Sequence, residues 1–129
     1  MERLKSRYVD VLKSLNTLDE ILKGSFSIIV RDAAIQRFQY TFEALWKFLK
    51  QYLQEKEGKI CNSPKSVFRE IFSIGFLTEE ETVKCLKMTD DRNDTVHTYK
   101  EEVAKAIYGR ISDYFALMKP LAEKFKTKI

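Results

Sequence analysis

Residues 28–57 constrain the fold of this chain more than any other stretch. Ile35, Phe38, Phe42, Leu45, Leu49 and Tyr52 recur at alternating spacings of three and four, the period of one helix face. Trp46, Phe48 and Leu53 widen that face beyond a single stripe. The helix is expected to begin near Ile28–Asp32, to end before Gly58, and to span roughly 40 Å at ~1.5 Å per residue. An apolar surface this wide needs two or more neighbours, so the pattern predicts the central helix of a bundle. Core packing is the simpler reading of its aromatic residues; a stacking platform for a nucleotide base is the other.

The rest of the chain supplies the neighbours. Leu4, Tyr8, Val11, Leu15, Leu18 and Leu22 form one stripe over residues 2–23, which Gly24 and Ser25 end. Ser63 and Pro64 open a short helix whose apolar face is read as Val67, Phe68, Ile71, Phe72 and Phe76, with Gly75 ending it. Thr78 and Glu81 form a capping box for the next helix. That helix turns Val83, Leu86 and Met88 inward and carries Arg92 near its end. A last helix runs from about Tyr99 to Lys124 with Val103, Ile107, Ile111, Tyr114, Met118, Leu121 and Phe125 inward. Pro120 should kink or end it near residues 116–120, and the Lys-rich tail beyond is expected to fray. The expected fold is all-α: an antiparallel four-helix up-and-down bundle with an additional short helix, in one domain over residues 1–129. Four glycines and two prolines leave little for a turn-rich β fold.

Composition excludes little else. The net charge of +4 favours phosphates without being a nucleic-acid signature. Cys61 and Cys85 form no motif and are read as reduced thiols. The N-terminus enters a charged amphipathic pattern at once, and no apolar run approaches a membrane span. A soluble cytoplasmic protein is expected, with no membrane partner, no metal and no cofactor.

The polar residues concentrate in Asp91-Arg92-Asn93-Asp94-Thr95-Val96-His97-Thr98-Tyr99, which holds the sole histidine. Arg92 and His97 are five apart, so an unbroken helix would point them about 140° apart. They converge only if the helix ends between them or a second copy supplies one of them. Asn93, Asp94 and Thr95 compete for backbone hydrogen bonds, which favours a break. Thr98 and Glu101 read as a capping box that starts the last helix at Tyr99 or just after.

Arg92-Asn93-x-x-x-His97-x-Tyr99 resembles the signature of HEPN domains, in the branch of nucleotidyltransferase substrate-binding proteins. The run Arg31-Asp32-Ala33-Ala34-Ile35-Gln36-Arg37-Phe38-Gln39-Tyr40-Thr41-Phe42-Glu43-Ala44-Leu45-Trp46-Lys47 resembles that family's long second helix, and Ser63-Pro64 and Gly75-Phe76-Leu77 extend the likeness over most of the chain. The resemblance implies a homodimer that works beside a separately encoded minimal nucleotidyltransferase. It also implies that members are often ribonuclease toxins, and that the transferase attaches AMP to the motif tyrosine, here Tyr99.

The residue chemistry suits metal-independent RNA cleavage. An imidazole ordinarily titrates near ~6.5 and can exchange protons at neutral pH. The Arg92 fork matches a phosphate, and Asn93 could hold the phosphate or orient His97. The competing reading is a non-catalytic nucleotide- or substrate-binding subunit. Arg31, Asp32, Gln36, Arg37 and Glu43 on the central helix are candidates for the nucleotide or transferase contact. Asp32, Gln36 and Glu43 share one face, with surface ion pairing as the plainer explanation. The transferase itself is not here: Gly24-Ser25 is present, but no Asp-x-Asp pair follows anywhere.

Overall fold

The computed structural model describes residues 2–129, and among these there is no strand. Five helices follow in order: α1 Glu2–Leu22, α2 Ile28–Glu57, α3 Pro64–Ser73, α4 Glu79–Asp94 and α5 Glu101–Glu123. A 3-10 turn, Thr95–His97, links the last two. The long helices run up and down, with α3 as the short extra element. The helix α2 packs against each of the other four, as its wide apolar surface requires.

Local chemistry sets the boundaries. Ser27 starts α2 by accepting a hydrogen bond from the Val30 N–H at 3.0 Å. Gly58 ends it in the left-handed region at φ 65°, returning its N–H to the Leu53 carbonyl. Gly75, at φ 88°, plays the same part after α3. The Thr78–Glu81 box forms in full: the Glu81 carboxylate accepts the Thr78 N–H at 2.8 Å, and the Thr78 hydroxyl accepts the Glu81 N–H at 3.1 Å. The backbone bond from Thr78 is the main reason the Glu81 carboxyl sits below its ordinary value.

The core holds two aromatic groups, one at the middle of α2 and one towards its C-terminal end. Phe38, Phe42 and Phe68 form the first, and Tyr8, Phe48, Tyr52, Phe76 and Phe125 the second. Phe38, Phe42 and Phe48 are fully buried, so these rings are core and not a stacking platform. The Tyr8 hydroxyl donates to the Ala122 carbonyl at 3.1 Å and ties α1 to α5.

Several local expectations need correction. In α4 the inward face is Thr82, Cys85, Met88 and Thr89, whereas Val83 is 61% exposed. Both threonines return their hydroxyl to a carbonyl one turn back, Thr78 at 2.8 Å and Cys85 at 2.9 Å, so neither enters the core unsatisfied. Phe72 is exposed as well. Pro120 does not end α5: the helix runs through it to Glu123, with Pro120 on the solvent side. The tail is not frayed. Phe125 is buried, and Lys124 Nζ donates to the Phe76 carbonyl at 2.8 Å.

Candidate functional site

The junction between α4 and α5 carries the site. Arg92 lies in the last turn of α4 and Thr95 closes that turn, its hydroxyl donating to the Arg92 carbonyl at 2.6 Å. The chain then tightens into the 3-10 turn that presents His97. The expected Thr98–Glu101 capping box is absent. The Thr98 hydroxyl donates back to the Thr95 carbonyl at 3.0 Å, and the Glu101 carboxylate accepts Arg31 Nη1 at 2.6 Å. The helix α5 therefore starts at Glu101, with Lys100 at its cap position and no side-chain cap.

Arg92 is half-buried. Its Nη2 donates to Glu43 Oε1 on α2, its Nη1 to Asn93 Oδ1 at 3.3 Å, and its guanidinium lies 5.9 Å from the centre of the Phe42 ring. Glu43 is held in turn by Trp46 Nε1 at 3.2 Å and Lys47 Nζ at 3.6 Å. Arg92 Nε is buried without a partner among the described residues. Asn93 and His97 are exposed, and Tyr99 is 78% exposed. The rings of His97 and Tyr99 stand 6.1 Å apart at 71°. The two hydrogen bonds of the Arg92 fork go to Glu43 and Asn93 rather than to His97.

The other candidates on α2 separate. Arg31 is buried and spans Glu101 and Asp32, at 2.6 and 3.2 Å; its hydrogen bond to Glu101 is the main cause of its raised pKa. Arg37 Nη1 donates to the Thr17 carbonyl at 2.7 Å and ties α2 to α1. Asp32 and Gln36 are exposed. Glu43 alone of the five meets the motif.

Sequence reasoning missed one cluster. Asp91, next to Arg92, is buried and accepts Arg110 Nε at 2.6 Å, Arg110 Nη2 at 2.9 Å and the Tyr114 hydroxyl. Burial pushes the Asp91 carboxyl up, but the bonds from Arg110 and Tyr114 outweigh it and leave the group below its ordinary value. Burial, and then the Asp91 carboxylate, push the Tyr114 phenol well up. A signal existed: Arg110 sits four residues before Tyr114, on the same side of α5 as the apolar stripe.

Fold and site together define an all-helical bundle with an Arg-x4-His-x-Tyr junction between its last two helices. The chain belongs to the nucleotidyltransferase substrate binding protein like family, whose pattern matches residues 5–127. It is 29% identical over 99 residues to the protein of Haemophilus influenzae named "Probable ribonuclease HepT". That match covers 74% of this chain and 66% of the relative's length. A crystal structure of a Thermus thermophilus protein shares 48% identity and a TM-score of 0.86, over 90% of this chain and 98% of that one. A second structure, from Haemophilus influenzae, was described as revealing the fold of a substrate binding domain of a nucleotidyltransferase. It shares 24% identity and a TM-score of 0.67, over 97% of this chain and 98% of that one, and so supports the fold. No described helix is long and apolar enough to cross a membrane.

Proposed function

We propose that residues 1–129 form one HEPN-type domain that is the toxin of a toxin–antitoxin-like pair, a cytoplasmic, metal-independent endoribonuclease. It acts as a homodimer beside a separately encoded minimal nucleotidyltransferase. The observation that carries the reading is the junction itself: the exposed His97 and Tyr99 follow directly on the helix turn that holds Arg92. The name of the Haemophilus relative supports it. His97 would take the proton from a ribose 2′-hydroxyl as its oxygen attacks the neighbouring phosphorus, or protonate the departing 5′ oxygen. Arg92 would hold charge on the phosphoryl oxygens, with Asn93 beside it. One imidazole serves one proton transfer at a time, so a second copy of the site across a dimer supplies the other.

Tyr99 is the phenol the transferase would modify. Its exposure leaves the hydroxyl within reach of an enzyme that transfers AMP from a nucleoside triphosphate and releases pyrophosphate. The added phosphate would bring negative charge to the place where RNA phosphate must sit and would pair with Arg92.

The test is cleavage of RNA by purified, mass-verified unmodified protein in a chelator, beside His97→Ala. Cleavage by the wild type alone is expected. Equal cleavage by both proteins refutes the role of His97. The second reading, a non-catalytic substrate-binding subunit, is favoured by one observation: Glu43 already occupies part of the Arg92 fork. No cleavage by either protein puts that reading first.

A further inference from the structure

Three consecutive residues at the end of α4 reach three different helices. Asp90 pairs with Lys65 of α3 at 2.7 Å, Asp91 with Arg110 and Tyr114 of α5, and Arg92 with Glu43 of α2. Successive helical positions point about 100° apart, so this turn is tied on three sides. The ties are unequal. Asp90 and Lys65 are 60% and 38% exposed, and such surface pairs contribute little. Asp91 is 5% exposed, and the hydrogen bonds its carboxylate accepts from side chains come from α5.

Two parallel N–H bonds from one guanidinium fix the direction of a carboxylate as well as its distance. The third contact is itself anchored: the Tyr114 ring stacks on Phe38 of α2, 5.5 Å between centres and 21° between planes. A buried ion pair is a weak source of net stability, because desolvation offsets most of the attraction. What this cluster supplies is orientation, and the residue after Asp91 is Arg92.

We propose that Asp91, through Arg110 and Tyr114, is a positioning residue of the junction: it sets the rotation of the last turn of α4, and so the direction in which Arg92 and His97 are presented to RNA. The inference rests on the ribonuclease reading above. Asp91 touches neither substrate nor the reacting atoms. It acts through the helix, since a rotation that released its carboxylate from Arg110 would turn Arg92 away from Glu43 by the same angle.

The experiment compares wild type, Asp91→Asn, Tyr114→Phe, Arg110→Lys and the exposed control Glu80→Gln for RNA cleavage. In parallel, NMR follows the imidazole of His97, which as the sole histidine needs no assignment. Misplacement by about 1 Å costs on the order of 10²-fold in rate. Asp91→Asn should therefore lower kcat about 30–100-fold with KM changed less than about threefold, and Tyr114→Phe should lower it about fivefold. Arg110→Lys keeps the charge without the fork and should fall between them. Glu80→Gln should match wild type. The His97 resonances should move in Asp91→Asn and stay in place in Glu80→Gln.

A kcat within about twofold of wild type in both Asp91→Asn and Tyr114→Phe overturns the proposal, and so does a loss confined to KM. Should Asp91→Asn fail to fold, Tyr114→Phe, which removes one oxygen, decides by the same limits. A wild type that cuts no RNA overturns the ribonuclease reading instead. The His97 resonances then decide the positioning role of Asp91: unmoved in Asp91→Asn and Tyr114→Phe they overturn it, and moved they support it.

Discussion

Asp91→Asn also makes a prediction about stability that does not depend on any activity. The substitution keeps the shape of the side chain but removes its charge and sets an amide N–H₂ against a guanidinium. Removing one partner from a buried pair costs about 3–5 kcal/mol when the other stays buried and uncompensated. The Arg110 side chain is 36% exposed and can turn to water, so the cost here falls to about 2–3 kcal/mol. Urea unfolding near neutral pH should show that gap between wild type and variant. The gap should also depend on pH in one direction. The Asp91 carboxyl sits below its ordinary value in the folded chain, because Arg110 and Tyr114 overcome the effect of burial. Unfolded, it titrates near ~3.9. Its contribution is thus whole above ~3.9 and is lost as pH falls through the lower, folded value. Within that window the gap should narrow by ~1.4 kcal/mol per pH unit. A gap below about 0.5 kcal/mol at neutral pH, or one that stays flat down to about pH 2.5, would refute the account of this cluster.

Two glycine substitutions should move stability in opposite directions. Gly58→Ala forces a Cβ into the left-handed region at φ 65° and should cost about 1–2 kcal/mol. Gly109→Ala lies inside α5, where a Cβ meets nothing within 4 Å, and should add up to about 1 kcal/mol; thermal melts that move both variants the same way contradict this. The thiols should differ in reactivity. Burial pushes the Cys85 thiol up to about 12. Alkylation near pH 8, followed by mass, should therefore label the partly buried Cys61 first, with Cys85 reacting only as the chain unfolds. Equal labelling of the folded protein would mean Cys85 is not enclosed.

Much of the fold was legible because the long helices bury large aliphatic and aromatic side chains at helical spacing. Leu4, Tyr8, Val11, Leu15 and Leu18 on α1 and Ile107, Ile111, Tyr114, Met118 and Leu121 on α5 all face the core as their pattern indicates. The pattern failed on α4, where the core is lined by Thr82 and Thr89 while Val83 faces solvent. A hydropathy reading ranks threonine below valine. It cannot see that a helix lets threonine satisfy its hydroxyl on the preceding turn and present its methyl group inward. Pro120 was misplaced for a related reason. The N–H it lacks would have met the Ala116 carbonyl, which lies on the exposed side of α5 within reach of water, so the helix runs on to Glu123.

The site was legible as a list of residues but not as an arrangement, and the failed capping box shows why. Thr98 and Glu101 satisfy the local rule, yet the rule needs the Glu101 carboxylate to be free to reach back to Thr98. Here Thr98 has helical dihedrals and gives its N–H to the Thr95 carbonyl, while Arg31, seventy residues away in sequence, takes the Glu101 carboxylate at 2.6 Å. A charge-assisted bond from a guanidinium, with both partners ionised, is stronger than one from a neutral backbone N–H, so the tertiary contact wins over the cap. The consequence falls on the motif. Without the box, α5 starts at Glu101, and Thr98, Tyr99 and Lys100 stay outside any helix. A Tyr99 inside the first turn would project from a regular helix face. In the turn, it stands 78% exposed beside His97. A local preference is overridden at one place in the junction, and the override exposes the phenol on which the proposed regulation depends.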